Sequence, residues 1–119
     1  MTRRQRSILI TGCSTGIGRT CARGMKARGW RVFATARNDA DMASLTQDGV
    51  ETVHLDYEDE HSIQTCAAEV LEQTDGHLTA LFNNGAYGQI GALEDISTDV
   101  LRKQFETNVF GWHTLTNAI

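Results

Sequence analysis

The sequence predicts an α/β fold, a parallel sheet with helices over both faces, from two observations. Strand-like apolar runs alternate with segments of helical period, and the first run breaks into a cluster of glycines. The runs are Ser7 to Thr11, Arg31 to Ala36, Glu51 to Leu55 and Leu78 to Asn83, each followed by enough chain for a helix. The pattern is β-α-β-α-β-α-β-α. Right-handed crossovers with a reversal after the third strand place the strands in the order 3-2-1-4, the first half of a doubly wound sheet.

Each helix carries its own signals. The first spans Ile17 to Arg28, with Ile17, Cys21 and Met25 on one face, Gly29 as its C-terminal stop, and Trp30 leading into the second strand. The second covers Ala40 to Gln47. The third runs from His61 to Gln73 on an apolar stripe of Ile63, Ala67, Val70 and Leu71, and Asp75-Gly76 ends it. The fourth begins near Ser97 or Thr98, with Asp99 in its first turn and Val100, Leu101, Phe105, Asn108, Val109 and Trp112 at spacings of three to four. It meets no glycine, proline or basic stop before Ile119, which reads as a chain cut within a helix. The outer edge of the fourth strand would then be uncovered, a feature that predicts weak stability or association.

Composition narrows the function classes. At 119 residues the chain has room for one domain, residues 1–119, and its net charge of -4 argues against a nucleic-acid surface. No apolar stretch approaches the roughly 20 residues needed to span a bilayer, so no membrane span is expected. Arg3, Arg4 and Arg6 precede an apolar run too short for a secretory core. The three cysteines, Cys13, Cys21 and Cys66, cannot pair completely and lack ligand spacing, which fits a reducing cytoplasm. Cys13, in the glycine loop, is expected to be the accessible thiol and Cys21 a small core residue. His54, His61, His77 and His113 are scattered without carboxylate partners at metal spacing, so no metal site is expected.

The chemistry concentrates where strands end. Residues 7–18 read Ser-Ile-Leu-Ile-Thr-Gly-Cys-Ser-Thr-Gly-Ile-Gly, a phosphate cradle. Gly12 lets backbone amides approach a ligand, and Gly16 and Gly18 open a helix whose unpaired N–H groups and positive dipole end face the same point. Ser14, Thr15 and Ile17 belong to the same binding turn. The spacing differs from the common G-x-G-x-x-G dinucleotide fingerprint.

Thr-Gly-x-x-x-Gly-Ile-Gly after an N-terminal strand resembles the short-chain dehydrogenase/reductase family, and three further segments agree with it. Asn83-Asn84-Gly85-Ala86 resembles the family's Asn-Asn-Ala-Gly with the last two residues exchanged, which moves the one residue free to adopt positive φ. Phe105-Glu-Thr-Asn-Val-Phe-Gly111 looks like the segment bearing the asparagine of the family's catalytic tetrad, at Asn108. Leu55-Asp56 ends the third strand where the adenine would lie, and Asp56 could accept the exocyclic amine. The resemblance covers nearly the whole chain and implies a Rossmann-type sheet binding a nicotinamide dinucleotide. Asn84, Gly85 and Ala86 would line the cofactor, while Asn83 would knit neighbouring strands. In the family the tetrad asparagine helps hold a water that links the catalytic lysine to a proton relay.

At the end of the second strand Arg37 stands where NAD-preferring sheets offer a carboxylate. A guanidinium can grip a 2′-phosphate through forked charge-assisted bonds, so NADP is favoured over NAD, with Asp39 close by in the same loop. The family's Tyr-x-x-x-Lys acid/base is absent: the lysines are Lys26 and Lys103, and four residues before them stand Ala22 and Asp99. Tyr57, on the adenine side, and Tyr87 are not substitutes. The resemblance therefore implies the NADP-binding N-terminal half of an oxidoreductase that moves hydride between NADP(H) and an alcohol or ketone. Residues 84–95 are similar to branches handling lipophilic alcohols, and intact relatives are commonly homo-oligomers. A dinucleotide-binding module without turnover and a nonfunctional fragment are the alternatives.

Overall fold

In the computed structural model, which describes residues 3–119, alternation along the central strand produces two cores. Strands β1 (Ser7–Ile10), β2 (Arg31–Ala36), β3 (Glu51–His54) and β4 (Ala80–Phe82) form one parallel sheet in the expected order β3-β2-β1-β4. Leu9 lies opposite Phe33 on one side and Leu81 on the other. Leu9 and Phe33 therefore share a face, which packs with Val53 against Ile63 and Val70 of α3 (Glu60–Gln73) and Leu115 of α5 (Trp112–Ala118). On the opposite face Ile8, Ile10, Val32 and Ala34 meet Ala22 of α1 (Gly16–Ala27) and Leu45 of α2 (Asp39–Gln47). Complete burial of side chains such as Leu9 and Phe33 stabilises the fold by roughly 1.5–3 kcal/mol each.

Helix ends follow local chemistry. Gly29 adopts φ 82°, which lets Trp30 N–H reach the Met25 carbonyl at 3.2 Å and closes α1. Asn38 Oδ1 accepts from Asp41 N–H at 2.9 Å to start α2, and Asp59 Oδ1 accepts from His61 N–H at 2.9 Å to start α3.

Two expectations are corrected. The α1 face toward the sheet is built on Gly18 and Ala22, with Cys21 and Met25 half-buried beside them, whereas Ile17 is 73% exposed. The helix is turned this way because Gly18 must lie against the Gly12 carbonyl, where a Cβ would come within 2.3 Å of the oxygen. The final helix is not continuous: α4 (Thr98–Phe105) leads into a π turn (Glu106–Gly111) before α5. That turn shifts the helical register, so Leu115 reaches the core while Val100, Leu101, Phe105, Val109 and Phe110 stay 36–54% exposed. A short 3-10 turn, Leu93–Asp95, precedes α4. As expected, β4 is the sheet's edge strand, half-buried where β1 is fully buried.

One ion-pair cluster ties α1 to the end of α2. Asp48 accepts from Arg19 Nε at 2.9 Å and from Arg23 Nε at 2.9 Å and Nη2 at 3.0 Å. The two guanidinium groups hold its carboxyl down at about 2, against an ordinary value of 3.8. A carboxyl depressed on folding lends stability above its unfolded value and loses it as pH falls through the folded one. In urea unfolding, the stability difference between the parent chain and Asp48→Asn is therefore expected to be constant above about pH 5 and to shrink progressively as pH falls toward about 2. A pH-independent difference would contradict this.

Candidate functional site

The C-terminal ends of β1, β2 and β3 and the chain after β4 open into one cleft of about 990 Å³. Gly12, Ser14, Thr15, Gly16 and Ile17 line its floor, Arg37 and Asp56 one wall, and Asn84, Gly85 and Ala86 another. Gly18 lies beneath the floor rather than in it: a Cβ there would sit 2.7 Å from Asn84 Nδ2 as well as against Gly12, so its role is close packing. Asn108 is also absent from the lining.

The floor is held from both neighbouring strands. Gly12 N–H donates to Thr35 Oγ1 at 3.2 Å and Cys13 N–H to the Thr35 carbonyl at 2.9 Å. Gly12 and Gly16 take φ 66° and 61°, left-handed conformations that favour glycine. The side chain of Thr15, the residue preceding α1, makes no capping hydrogen bond. The first amides of α1 are thus left without a side-chain acceptor, and an uncapped helix start of this kind suits an anion. Arg37 forms no ion pair with another described residue. Asp56 is partly committed, since its Oδ1 accepts from Glu58 N–H at 2.9 Å.

Behind the cleft a closed ring of hydrogen bonds fixes the wall after β4. Asn84 and Gly85 N–H both donate to Thr11 Oγ1 at 2.9 Å. With its acceptor sites taken, that hydroxyl gives its proton to Tyr57 Oη at 2.8 Å, and the phenol donates to Asn83 Oδ1 at 2.6 Å. Asn83 Nδ2 donates to Thr116 Oγ1 at 3.1 Å and Thr116 to the Trp112 carbonyl at 2.7 Å. Trp112 Nε1 returns to the Gly85 carbonyl at 2.7 Å.

The two asparagines differ from expectation in detail. Asn84 ties β4 to β1, donating from Nδ2 to the Thr11 and Gly12 carbonyls at 3.2 Å, whereas Asn83 reaches Tyr57 and α5. Tyr57 is buried with its hydroxyl in this ring, and burial raises its pKa. Asn108 clamps the next turn of chain, donating from Nδ2 to the Tyr87 carbonyl at 2.6 Å and accepting from Tyr87 N–H at 3.1 Å. Neither Gly85 nor Ala86 has positive φ, so the exchanged order costs the backbone nothing.

Sequence reasoning missed Thr35, Asn38 and Asp41 near Arg37, and Glu58, Lys103 and Thr107 at the opposite rim. Thr107 Oγ1 donates to Glu58 Oε1 at 3.2 Å and Lys103 Nζ lies 3.9 Å from Oε2, bridging α4 to the chain after β3. Only the tertiary fold brings these groups together. Among the described residues no His, Cys, Asp or Glu cluster could hold a metal, and no helix is long and apolar enough to cross a membrane.

Comparison with known proteins agrees with the fold. The short chain dehydrogenase family matches residues 6–119. The chain belongs to that family. A family relative, the uncharacterized oxidoreductase YbbO of Escherichia coli K12, is 39% identical over 112 residues, 94% of this chain and 42% of that protein. A crystal structure of a short-chain dehydrogenase from Streptomyces avermitilis superposes with TM-score 0.88 at 36% identity, covering 99% of this chain and 44% of the other. An NADPH-bound carbonyl reductase from chicken fatty liver superposes with TM-score 0.87 at 26% identity, over 97% and 47% of the two chains. The chain thus spans less than half the length of these family members.

The three thiols lie in or against the two cores rather than in the cleft. Contrary to expectation, Cys13 is wholly buried, its Sγ donating to the Ile10 carbonyl at 3.1 Å, and burial pushes its pKa up to about 12. Cys66 is buried and pushed up to about 12 as well, whereas Cys21 is half-buried. Because the thiolate is the nucleophile, a disulfide reagent at pH 8 should label one thiol in the native chain, abolished by Cys21→Ser, and the other two only after denaturation. Rapid native labelling of Cys13 would contradict this placement.

Proposed function

We propose that the chain binds NADP(H) in this cleft, as the dinucleotide-holding part of an oxidoreductase acting on an alcohol or ketone. The observation that carries the reading is Arg37, a guanidinium on the cleft wall at the end of β2 that has no ion-pair partner among the described residues. It suits a 2′-phosphate, which it would hold by charge-assisted hydrogen bonds. The residues fit the rest of the cofactor. The α1 amides and the Gly12–Gly16 turn would take the pyrophosphate, Asp56 the adenine amine through its remaining oxygen, and Asn84, Gly85 and Ala86 the ribose beside the nicotinamide. The NADPH bound to the carbonyl reductase of similar fold supports the choice of cofactor.

When bound, the nicotinamide supplies the hydride donor or acceptor at its C4 carbon. The chain's own residues bind and orient. Gly18 and Thr35 hold the phosphate turn rigid, and Asn108 holds Tyr87, fixing the chain where it leaves the cleft wall. Asn108 is assigned here to positioning, and to the water relay of the tetrad that the family resemblance implies. The exposed Ile90 and Leu93 follow this turn and suit a lipophilic alcohol. The exposed apolar face of α4 suits a homo-oligomer.

Titration of NADPH and NADH, followed by nicotinamide fluorescence, tests the reading. NADPH should bind more tightly, and Arg37→Ala should weaken it about tenfold or more while changing NADH less than about twofold. Equal weakening of both nucleotides, or no binding of either, would overturn it.

A further inference from the structure

The exchanged glycine after β4 has a steric origin. Gly85 lacks positive φ, so its backbone does not require glycine. Space does: a Cβ at position 85 would lie 3.0 Å from Tyr57 Cε2, 3.2 Å from Gly12 N and 3.4 Å from Gly12 Cα. The nearest obstacle is the far edge of an aromatic ring that cannot move aside, because its hydroxyl is held between Thr11 and Asn83. Gly12 is fixed in turn by Thr35. Gly111 also rests on Tyr57, but on different atoms: a Cβ there would meet Tyr57 Cβ at 2.7 Å and its carbonyl oxygen at 2.8 Å, which any residue at 57 retains.

We propose that Tyr57 is a positioning residue: its ring excludes a side chain at position 85 and so sets the Asn84–Tyr87 backbone close against Gly12, where the nicotinamide end of the cofactor would lie. The steric part stands on the contacts alone, and the positioning part rests on the NADP(H) reading.

The test combines Gly85→Ala with three residues at position 57. Tyr57→Phe keeps Cε2 and removes the hydroxyl, whereas Tyr57→Leu removes the obstructing atom. Tyr57→Met, with a flexible chain, replaces the leucine background should that variant not fold. Thermal unfolding should show Gly85→Ala lowering the midpoint most with Tyr at 57, less with Phe, whose ring has lost its hydroxyl anchor, and least with Leu or Met, where only the Gly12 contact remains. Gly111→Ala should remain costly in every background. In nucleotide titrations Gly85→Ala should weaken NADPH about tenfold, the scale of a mild overpacking, and leave 2′,5′-ADP, which lacks the nicotinamide end, within about twofold. Affinity for NADPH should return in the Leu or Met background.

A Gly85→Ala penalty independent of residue 57 would overturn the steric part. Equal loss of NADPH and 2′,5′-ADP, or no loss of either, would overturn the positioning part. Parent chain that binds no nucleotide would remove the NADP(H) reading and the positioning part with it, while the unfolding midpoints still decide the contact.

Discussion

Thr11 stands where β1 gives way to the glycine turn, and its hydroxyl is committed in three directions at once. It accepts two backbone amides from the chain leaving β4 and donates to a buried tyrosine from the chain leaving β3. A hydroxyl has one proton and two lone pairs, so this arrangement uses all of its capacity. Any apolar replacement would strand two amides, at about 1–3 kcal/mol for each left unpaired, and leave the phenol with Asn83 alone. The ring continues through Asn83, Thr116 and Trp112 back to Gly85, so four separate segments are fixed relative to one another by polar bonds. Among the described residues no buried side-chain polar atom lacks a partner. Such a network specifies one arrangement because every alternative leaves a group unsatisfied.

The cleft inherits its rigidity from this ring. Gly12 is pressed between Gly85 on one side and Gly18 beneath, with Thr35 accepting its amide from β2. These contacts tolerate no side chain, and they leave the α1 amides open at the end of a turn that cannot relax toward them. Preorganisation of this kind lowers the ordering cost of binding an anion, since the donors are aimed before the ligand arrives. The same close approach explains why α1 turns Gly18 inward and exposes Ile17, against the simple reading of its apolar spacing.

What the sequence made legible was local. The strand runs, the helix stops at Gly29 and Gly76, the phosphate turn and the arginine after β2 each depend on residues within a few positions of one another, and their order fixed the sheet topology. Groups brought together across long separations were not legible. Tyr57 contacts Gly85 and Gly111 through space, and nothing in its neighbourhood in the chain marks it as the wedge between them. The π turn was hidden for the same reason: it lets the helix set Gly111 against Tyr57 and still deliver Leu115 to the core, a constraint that acts only after the sheet has formed. Cys13 was misplaced because a glycine-rich loop suggests exposure, whereas this residue turns back under β1 to a backbone carbonyl.

The electrostatics around Arg37 follow from the start of α2. Asp39 and Asp41 lie in the first turn of that helix, favourable for its dipole and unfavourable beside a phosphate. Asp41 Oδ2 accepts from Asn38 Nδ2 at 2.7 Å while Asn38 Oδ1 caps the Asp41 amide, so one side chain both starts the helix and holds the carboxylate. An unheld carboxylate beside the exposed Arg37 would pair with it by up to about 1 kcal/mol and compete with a phosphate for it. Holding Asp41 on Asn38 leaves the guanidinium available without giving up the acidic residues that stabilise α2. The cofactor preference proposed for this chain thus depends on the arginine together with the cap beside it, because the same helix start supplies both the carboxylate that would compete and the amide that occupies it.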